Sequence, residues 1–318
     1  MSDTDGQERG GTGHPNTTAL GRRTVLAGAG TAAAGAVGVT DVAAAGQERA
    51  DEESGRDGDD HADPALIAHR GFAGLYPENT VGAVEAASRG GGSNRAPSRG
   101  ADTVEIDVLP TADGDVVVFH DNGLAERDGG ERGLTDTEDI VWETGTGTVT
   151  DAEVLASGET VPLLTEVLDA VPTSVGVNVE LKNPGSPDLR FADGLSGEEL
   201  EEQKAVWRSF VGRVLATVDD YGNEFLFSSF YEAALATTRE ASEYPVAPLL
   251  RDSIEDGLHI ARTYDAEAVH PPHDMVKGTP CLRDPYFTEG SEWADIDLVA
   301  AAHEEGRDVN VYTLTTWY

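Results

Sequence analysis

The sequence predicts an α/β protein built as a TIM-type (β/α)₈ barrel, and three observations carry the prediction. From Ala65 onward, short apolar runs alternate with longer segments of helical periodicity, the pattern of parallel βαβ units. Two of the runs place carboxylates at alternate positions opposite an all-apolar face, as strands do when one face looks into a barrel and the other packs under helices. The 318-residue length leaves room for the ~250 residues of one such barrel.

Taken in order, core strands are expected at Leu66–His69, Thr103–Leu109, Val175–Leu181, Phe225–Ser229, Val246–Leu250, Ala268–His270 and Val309–Thr313, with a short extra strand at Val116–Phe119. Helices are expected at Asn79–Ser88, Leu164–Ala170, Glu198–Asp219, Tyr231–Glu240, Ser253–Tyr264 and Ile296–Glu305.

Ahead of the barrel, at 65–318, lie two segments of different character. In residues 1–45, Arg22-Arg23 precedes a weakly apolar run, Ala27–Val39, and the small residues Ala43–Ala45 suit cleavage. This describes a twin-arginine signal peptide, an address rather than part of the fold. The run is too rich in Ala and Gly to span a bilayer, where about 20 clearly apolar residues are needed. The expected location is extracellular or at the cell surface, with no stable transmembrane segment after signal removal. Residues 46–64 are acidic and lack aliphatic periodicity, and read as a disordered linker.

The chain carries 59 acidic and 22 basic residues, a net charge of -37. Such a surface repels nucleic acid and excludes it as a partner. With only three lysines (Lys182, Lys204 and Lys277), the balance fits a surface that stays hydrated in concentrated salt, a halophilic adaptation. The single cysteine, Cys281, allows no intrachain disulfide and no thiolate metal cluster.

Alternation places the chemistry. In Thr103–Val108, Val104, Ile106 and Val108 form one face, and Glu105 and Asp107 share the other. Two like charges inside a barrel repel unless something neutralises them, and a divalent cation does so. In the next central strand, Val175, Val177, Val179 and Leu181 point outward, and Asn178, Glu180 and Lys182 point in. Three carboxylates make a hard oxygen site suited to one Ca²⁺ or Mg²⁺ ion. His69 and His120 each end a strand at the side where barrel active sites lie, and two imidazoles suit general acid–base work. Arg70 offers a planar fork for phosphate oxygens.

These residues resemble the glycerophosphodiester phosphodiesterase family. The resemblance rests on Ile67-Ala68-His69-Arg70-Gly71 with Tyr76-Pro77-Glu78-Asn79-Thr80, on Glu105-Ile106-Asp107, on Val117-Val118-Phe119-His120-Asp121 and on Val179-Glu180-Leu181-Lys182. Val161–Leu168, Phe227-Ser228-Ser229-Phe230 and Val309–Thr313 follow in the family's order. The resemblance implies a metal held by Glu105, Asp107 and Glu180, an acid–base pair of His69 and His120, phosphate contacts from Arg70 and Lys182, and Glu78 bracing the site. Phe230 and Tyr312 would line the substrate. The implied reaction is hydrolysis of a small glycerophosphodiester to an alcohol and glycerol 3-phosphate, with water or the substrate's own 2-hydroxyl as nucleophile. Two departures stand out. Tyr312 replaces the family's usual Trp, and the chain stops at Trp317-Tyr318, short of the family's last helix and strand. Open edges are therefore expected beside Leu66–His69 and the last strand. The competing readings are another barrel phosphodiesterase, phospholipase D-like or phosphoinositide-cleaving, and an inactive truncated chain.

Overall fold

The computed structural model describes residues 24–28, 64–90, 99–125, 134–191, 195–283 and 295–314. In chain order the elements are β1 (Thr24–Gly28), β2 (Ala65–His69), α1 (Val81–Arg89), β3 (Thr103–Pro110), β4 (Val116–Val118), α2 (Thr146–Asp151), α3 (Leu164–Ala170), β5 (Gly176–Leu181), α4 (Gly197–Val218), β6 (Phe225–Ser229), α5 (Glu232–Ala241), β7 (Val246–Pro248), α6 (Ile254–Thr263), β8 (Ala268–Val269), α7 (Leu298–Glu304) and β9 (Asp308–Leu314). The strands run parallel in the order β7-β6-β5-β3-β2-β1-β9-β8, and β4 pairs antiparallel with β3 off this path. Backbone hydrogen bonds from His270 to Pro248 and from Leu250 to His270, both 2.9 Å, join β8 to β7 and close the ring.

The edges expected to stand open are paired. β1 lies between β2 and β9, with Val25 opposite both Ala65 and Asn310. An unpaired strand edge exposes a row of backbone donors and acceptors, and any nearby extended segment that can run parallel to it satisfies them. This segment falls within the stretch read as an export signal. The remainder of residues 1–45, including Arg22-Arg23, and nearly all of the expected linker lie outside the described residues. Among the described residues, no helix is long and apolar enough to cross a membrane.

The main core lies between the ring and its helices. Val104, Ile106, Val108, Val177, Val179 and Leu181 face outward and meet Trp207, Phe210, Val211 and Val214 of α4. A second apolar cluster gathers Leu109, Val117, Phe119, Leu124, Leu134 and Val161 under the excursion between β3 and α3, and it anchors the segment that carries His120. The sequence reading missed α2, a short Thr-rich helix in this excursion. It also started α1 two residues early: Asn79 has φ 58°, and Thr80 is the cap, accepting from Ala83 N at 3.2 Å.

Candidate active site

The register of β3 against β5 builds the floor of the site. Glu105 lies opposite Asn178 and Asp107 opposite Glu180, so the inward side chains of both strands share one face. Glu105, Asp107 and Glu180 are buried, and each offers a carboxylate oxygen within 4.8 Å of the others. Glu105 Oε1 and Asp107 Oδ1 have no hydrogen-bond partner. Burial and the charges of Asp107 and Glu180 push Glu105 well above the usual carboxylate range. Burial also works against the charge on Asp107, but His120, Arg70 and Lys182 outweigh it and hold this carboxyl below its ordinary value. One carboxyl driven toward protonation, two orphaned oxygens and an all-oxygen donor set fit a hard metal ion that takes the proton's place.

Two cations border the triad. Arg70 Nε lies 3.2 Å from Asp107 Oδ2, Nη1 donates to Glu78 Oε1 at 2.9 Å, and the Arg70 backbone N–H donates to Glu105 Oε2 at 2.8 Å. Burial disfavours the guanidinium's charge, yet Asp107, Glu78 and Glu105 together raise its pKa above the ordinary value. Lys182 Nζ donates to Glu180 Oε1 at 2.7 Å and stands 3.6 Å from Asp107 Oδ1. Burial lowers its pKa, but Glu180 and Asp107 more than offset that, so the ammonium stays charged.

His69 Nε2 lies 3.9 Å from Glu105 Oε2, and Nδ1 is buried without a partner. Burial first, and then the charge of Arg70, hold this imidazole down to about 3, so it is neutral at working pH. His120 follows β4, and the Phe119 N–H bonded to Asp107 O at 2.9 Å ties that segment to the floor strand. Its Nδ1 bonds Asp121 Oδ1 at 2.5 Å, an arrangement that orients the ring and leaves Nε2 for other work. Phe230, just past β6, has Lys182 Nζ 5.8 Å from its ring centroid and meets Tyr312 edge-on at 6.1 Å. All ten residues singled out from the sequence thus meet at the C-terminal end of the ring.

Two further groups belong to this assembly. Asn79 is 1% exposed; its Nδ2 donates to Asp107 Oδ2 at 2.8 Å, and its Oδ1 accepts from Asp107 N at 3.3 Å. Its left-handed backbone suits Asn better than most residues. Asn183 Nδ2 reaches Asn122 Oδ1 at 3.3 Å and links the loop after β5 to the one after His120.

Over residues 69–318 the chain matches the Glycerophosphoryl diester phosphodiesterase family. It belongs to that family. A glycerophosphodiester phosphodiesterase of Bacillus altitudinis is 32% identical over 256 residues, covering 79% of this chain and 86% of the relative. A second, from Caldanaerobacter subterraneus, is 26% identical over 210 residues, covering 65% of this chain and 74% of the relative. Among solved structures, an Oleispira antarctica phosphodiesterase in complex with the product sn-glycerol-3-phosphate superposes with TM-score 0.56 at 22% identity, covering 80% of this chain and 85% of the other. The glycerophosphodiester phosphodiesterase of Thermotoga maritima superposes with TM-score 0.54 at 21% identity, covering 80% and 88%. The fold of this member of the glycerophosphoryl diester phosphodiesterase family is thus the barrel the sequence predicts.

Proposed function

We propose that this chain is a metal-dependent hydrolase that splits small glycerophosphodiesters into an alcohol and glycerol 3-phosphate. The observation that carries the reading is the buried triad Glu105, Asp107 and Glu180, bordered by Arg70 and Lys182 and flanked by two imidazoles. Family membership supports the same reaction.

Glu105, Asp107 and Glu180 would hold one divalent ion, Ca²⁺ or Mg²⁺, which offsets charge on the phosphoryl oxygens when bound. Arg70, fixed by Glu78, and Lys182 take the remaining phosphate oxygens and keep the phosphorus in line for attack. His69, with Nε2 3.9 Å from Glu105 Oε2 in the triad, accepts a proton from the attacking hydroxyl, whether of water or of the substrate's own glycerol. His120, oriented by Asp121, gives a proton to the alcohol oxygen as its bond to phosphorus breaks. With water as nucleophile one P–O bond forms, the bond to the alcohol breaks, and glycerol 3-phosphate results; with the substrate's 2-hydroxyl the same exchange gives a cyclic glycerol phosphate that water opens in a second step. The acidic stretch and Arg22-Arg23 support export through the twin-arginine route to a salty exterior.

The test is release of glycerol 3-phosphate from glycerophosphocholine in Ca²⁺, in Mg²⁺ and in chelator. Release should need the metal, and His69→Ala and His120→Ala should each lower turnover by about 10²–10⁴. Undiminished release in chelator sinks the metal-dependent reading; no release from metal-loaded, folded protein sinks the substrate.

A further inference from the structure

We infer that the cavity beyond Phe230 is the subsite for the alcohol half of the substrate and that it selects a neutral polyol over a cationic amino alcohol. This rests on the proposed hydrolysis of glycerophosphodiesters and adds to it the class of leaving group. The cavity holds about 210 Å³ and is bounded by Phe191, Phe230, Leu250, Arg251, Asp252 and Asp256. That is more than ten times the ~10–15 Å³ needed to admit one water.

Its position joins it to the reacting centre. Its walls come from loops after strands and from α6, at the end of the ring where the triad lies: Phe191 after β5, Phe230 after β6, Leu250 to Ser253 between β7 and α6, and Asp256 and Ile260 on α6. Phe230 is common to both, with Lys182 Nζ 5.8 Å from its ring. Tyr312 spans them as well: its ring meets Phe230 edge-on, and its hydroxyl donates to Leu250 O at 2.5 Å. A diester whose phosphate rests on Arg70 and Lys182 can therefore extend its alcohol past Phe230 without crossing the barrel.

The lining decides the class. An aromatic wall beside carboxylates would ordinarily suit a quaternary ammonium. Here both aromatic rings already carry the protein's own cations. The Arg251 guanidinium sits 4.8 Å from the Phe191 centroid, Phe191 also stacks on Tyr231 at 4.8 Å and 14°, and Phe230 has Lys182. A cationic alcohol would meet a guanidinium where its aromatic partner should be. An anionic alcohol would meet Asp252 and Asp256 on a chain of net charge -37. A neutral polyol suits both: its hydroxyls donate to Asp252 and Asp256 and accept from Arg251, and its C–H face lies on Phe230 and Leu250. Arg251 Nε lies 3.4 Å from Asp252 Oδ2, and the Asp256 backbone N–H donates to the Ser253 hydroxyl at 3.1 Å, which fixes the first turn of α6.

The experiment measures kcat/KM of the full chain for glycerophosphoinositol, glycerophosphoglycerol, glycerophosphocholine and glycerophosphoethanolamine. The two polyol diesters should exceed the two amino-alcohol diesters by about tenfold or more, the scale of a lost pocket contact. Arg251→Ala and Asp256→Ala should each remove most of that preference by raising KM for the polyol diesters, Arg251→Ala should also raise kcat/KM for the choline diester, and a cooperative thermal melt matching the parent's shows that each variant is folded. Equal rates on all four, preference for the choline diester, or a uniform loss in both variants overturns the subsite. No cleavage of any diester by the parent chain overturns the proposed function, a separate failure.

Discussion

Replacing Glu105 by Gln should stabilise the metal-free protein and abolish most of its response to metal, two effects of opposite sign from one change. Glu105 is buried, and its carboxyl is pushed toward the protonated form by burial, Asp107 and Glu180. Gln has the same shape and no charge, so in chelator Glu105→Gln removes a repulsion. With metal the ledger reverses. A unit charge pair near 4 Å is worth about 4 kcal/mol at an effective dielectric of ~20, so losing one of three carboxylates weakens a dication's binding by roughly 100-fold or more, even after crediting the proton that Glu105 must release. At a metal concentration 100 times the parent Kd, the parent gains about 2.7 kcal/mol and the variant only ~0.4 kcal/mol. At ~2–4 °C per kcal/mol for a domain of this size, the parent's Tm should rise by about 5–11 °C and the variant's by about 1–2 °C. The pH dependence in chelator follows from the same group. Its folded pKa is raised, so its share of stability is present below the ordinary carboxylate range and is lost as pH rises through the raised value. The parent should lose that share; the variant should not. Thermal melts with and without Ca²⁺ or Mg²⁺ decide it, and an equal metal-induced rise in both proteins would refute the assignment of the triad.

Three other expectations are independent of this one. Asn79→Ala breaks two hydrogen bonds to Asp107 and puts Ala at φ 58°, so it should cost about 1–3 kcal/mol in urea unfolding and lower kcat more than it raises KM. Burial holds His270 down to about 3 from 6.5 inside the ring, beside Asn310; between those values the unfolded chain binds the extra proton, so stability is full above ~6.5 and falls on acidification by up to about 1.4 kcal/mol per pH unit. In His270→Asn that slope should be shallower by this amount, and an unchanged slope from pH 6.5 to 4 would show that the imidazole is not excluded from protonation. The third concerns the amino terminus: mass spectrometry of enzyme recovered from culture fluid should find it near residue 46, whereas an active enzyme there that retains residues 1–45 would keep β1 as a strand of the barrel and refute removal of the signal.

The site was legible where a strict period tied residue to face. Glu105, Asp107 and Glu180 sit on strands, where alternation alone settles which side chains turn inward, and the apolar partners Ile106 and Val179 confirm the phase. The loops obey no period. Asn79 reads as the start of a helix until its positive φ shows that Thr80 is the cap. Phe191 and Arg251 lie 60 positions apart on loops whose approach depends on how β5, β6 and β7 are spaced around the ring. The Thr24–Gly28 segment is ambiguous in a different way: short, apolar and small, it suits an export signal and a strand alike, and its pairing depends on the edges that β2 and β9 offer.

Charge at the centre links the fold to the chemistry. Glu78, Glu105, Asp107 and Glu180 are buried together, and Arg70 and Lys182 lie against them. With His69 held neutral, these carboxylates outnumber Arg70 and Lys182 in a poorly solvated site. Burial and the charges of Asp107 and Glu180 push Glu105 toward protonation, which would lessen that excess. A dication held by Glu105, Asp107 and Glu180 would offset that excess. Arg70 and Lys182 are spent on neighbouring carboxylates in the metal-free state. Once a metal ion takes those carboxylates, their N–H groups can turn to a phosphate monoanion. Metal and substrate should therefore bind cooperatively, each tightening the other by the same factor.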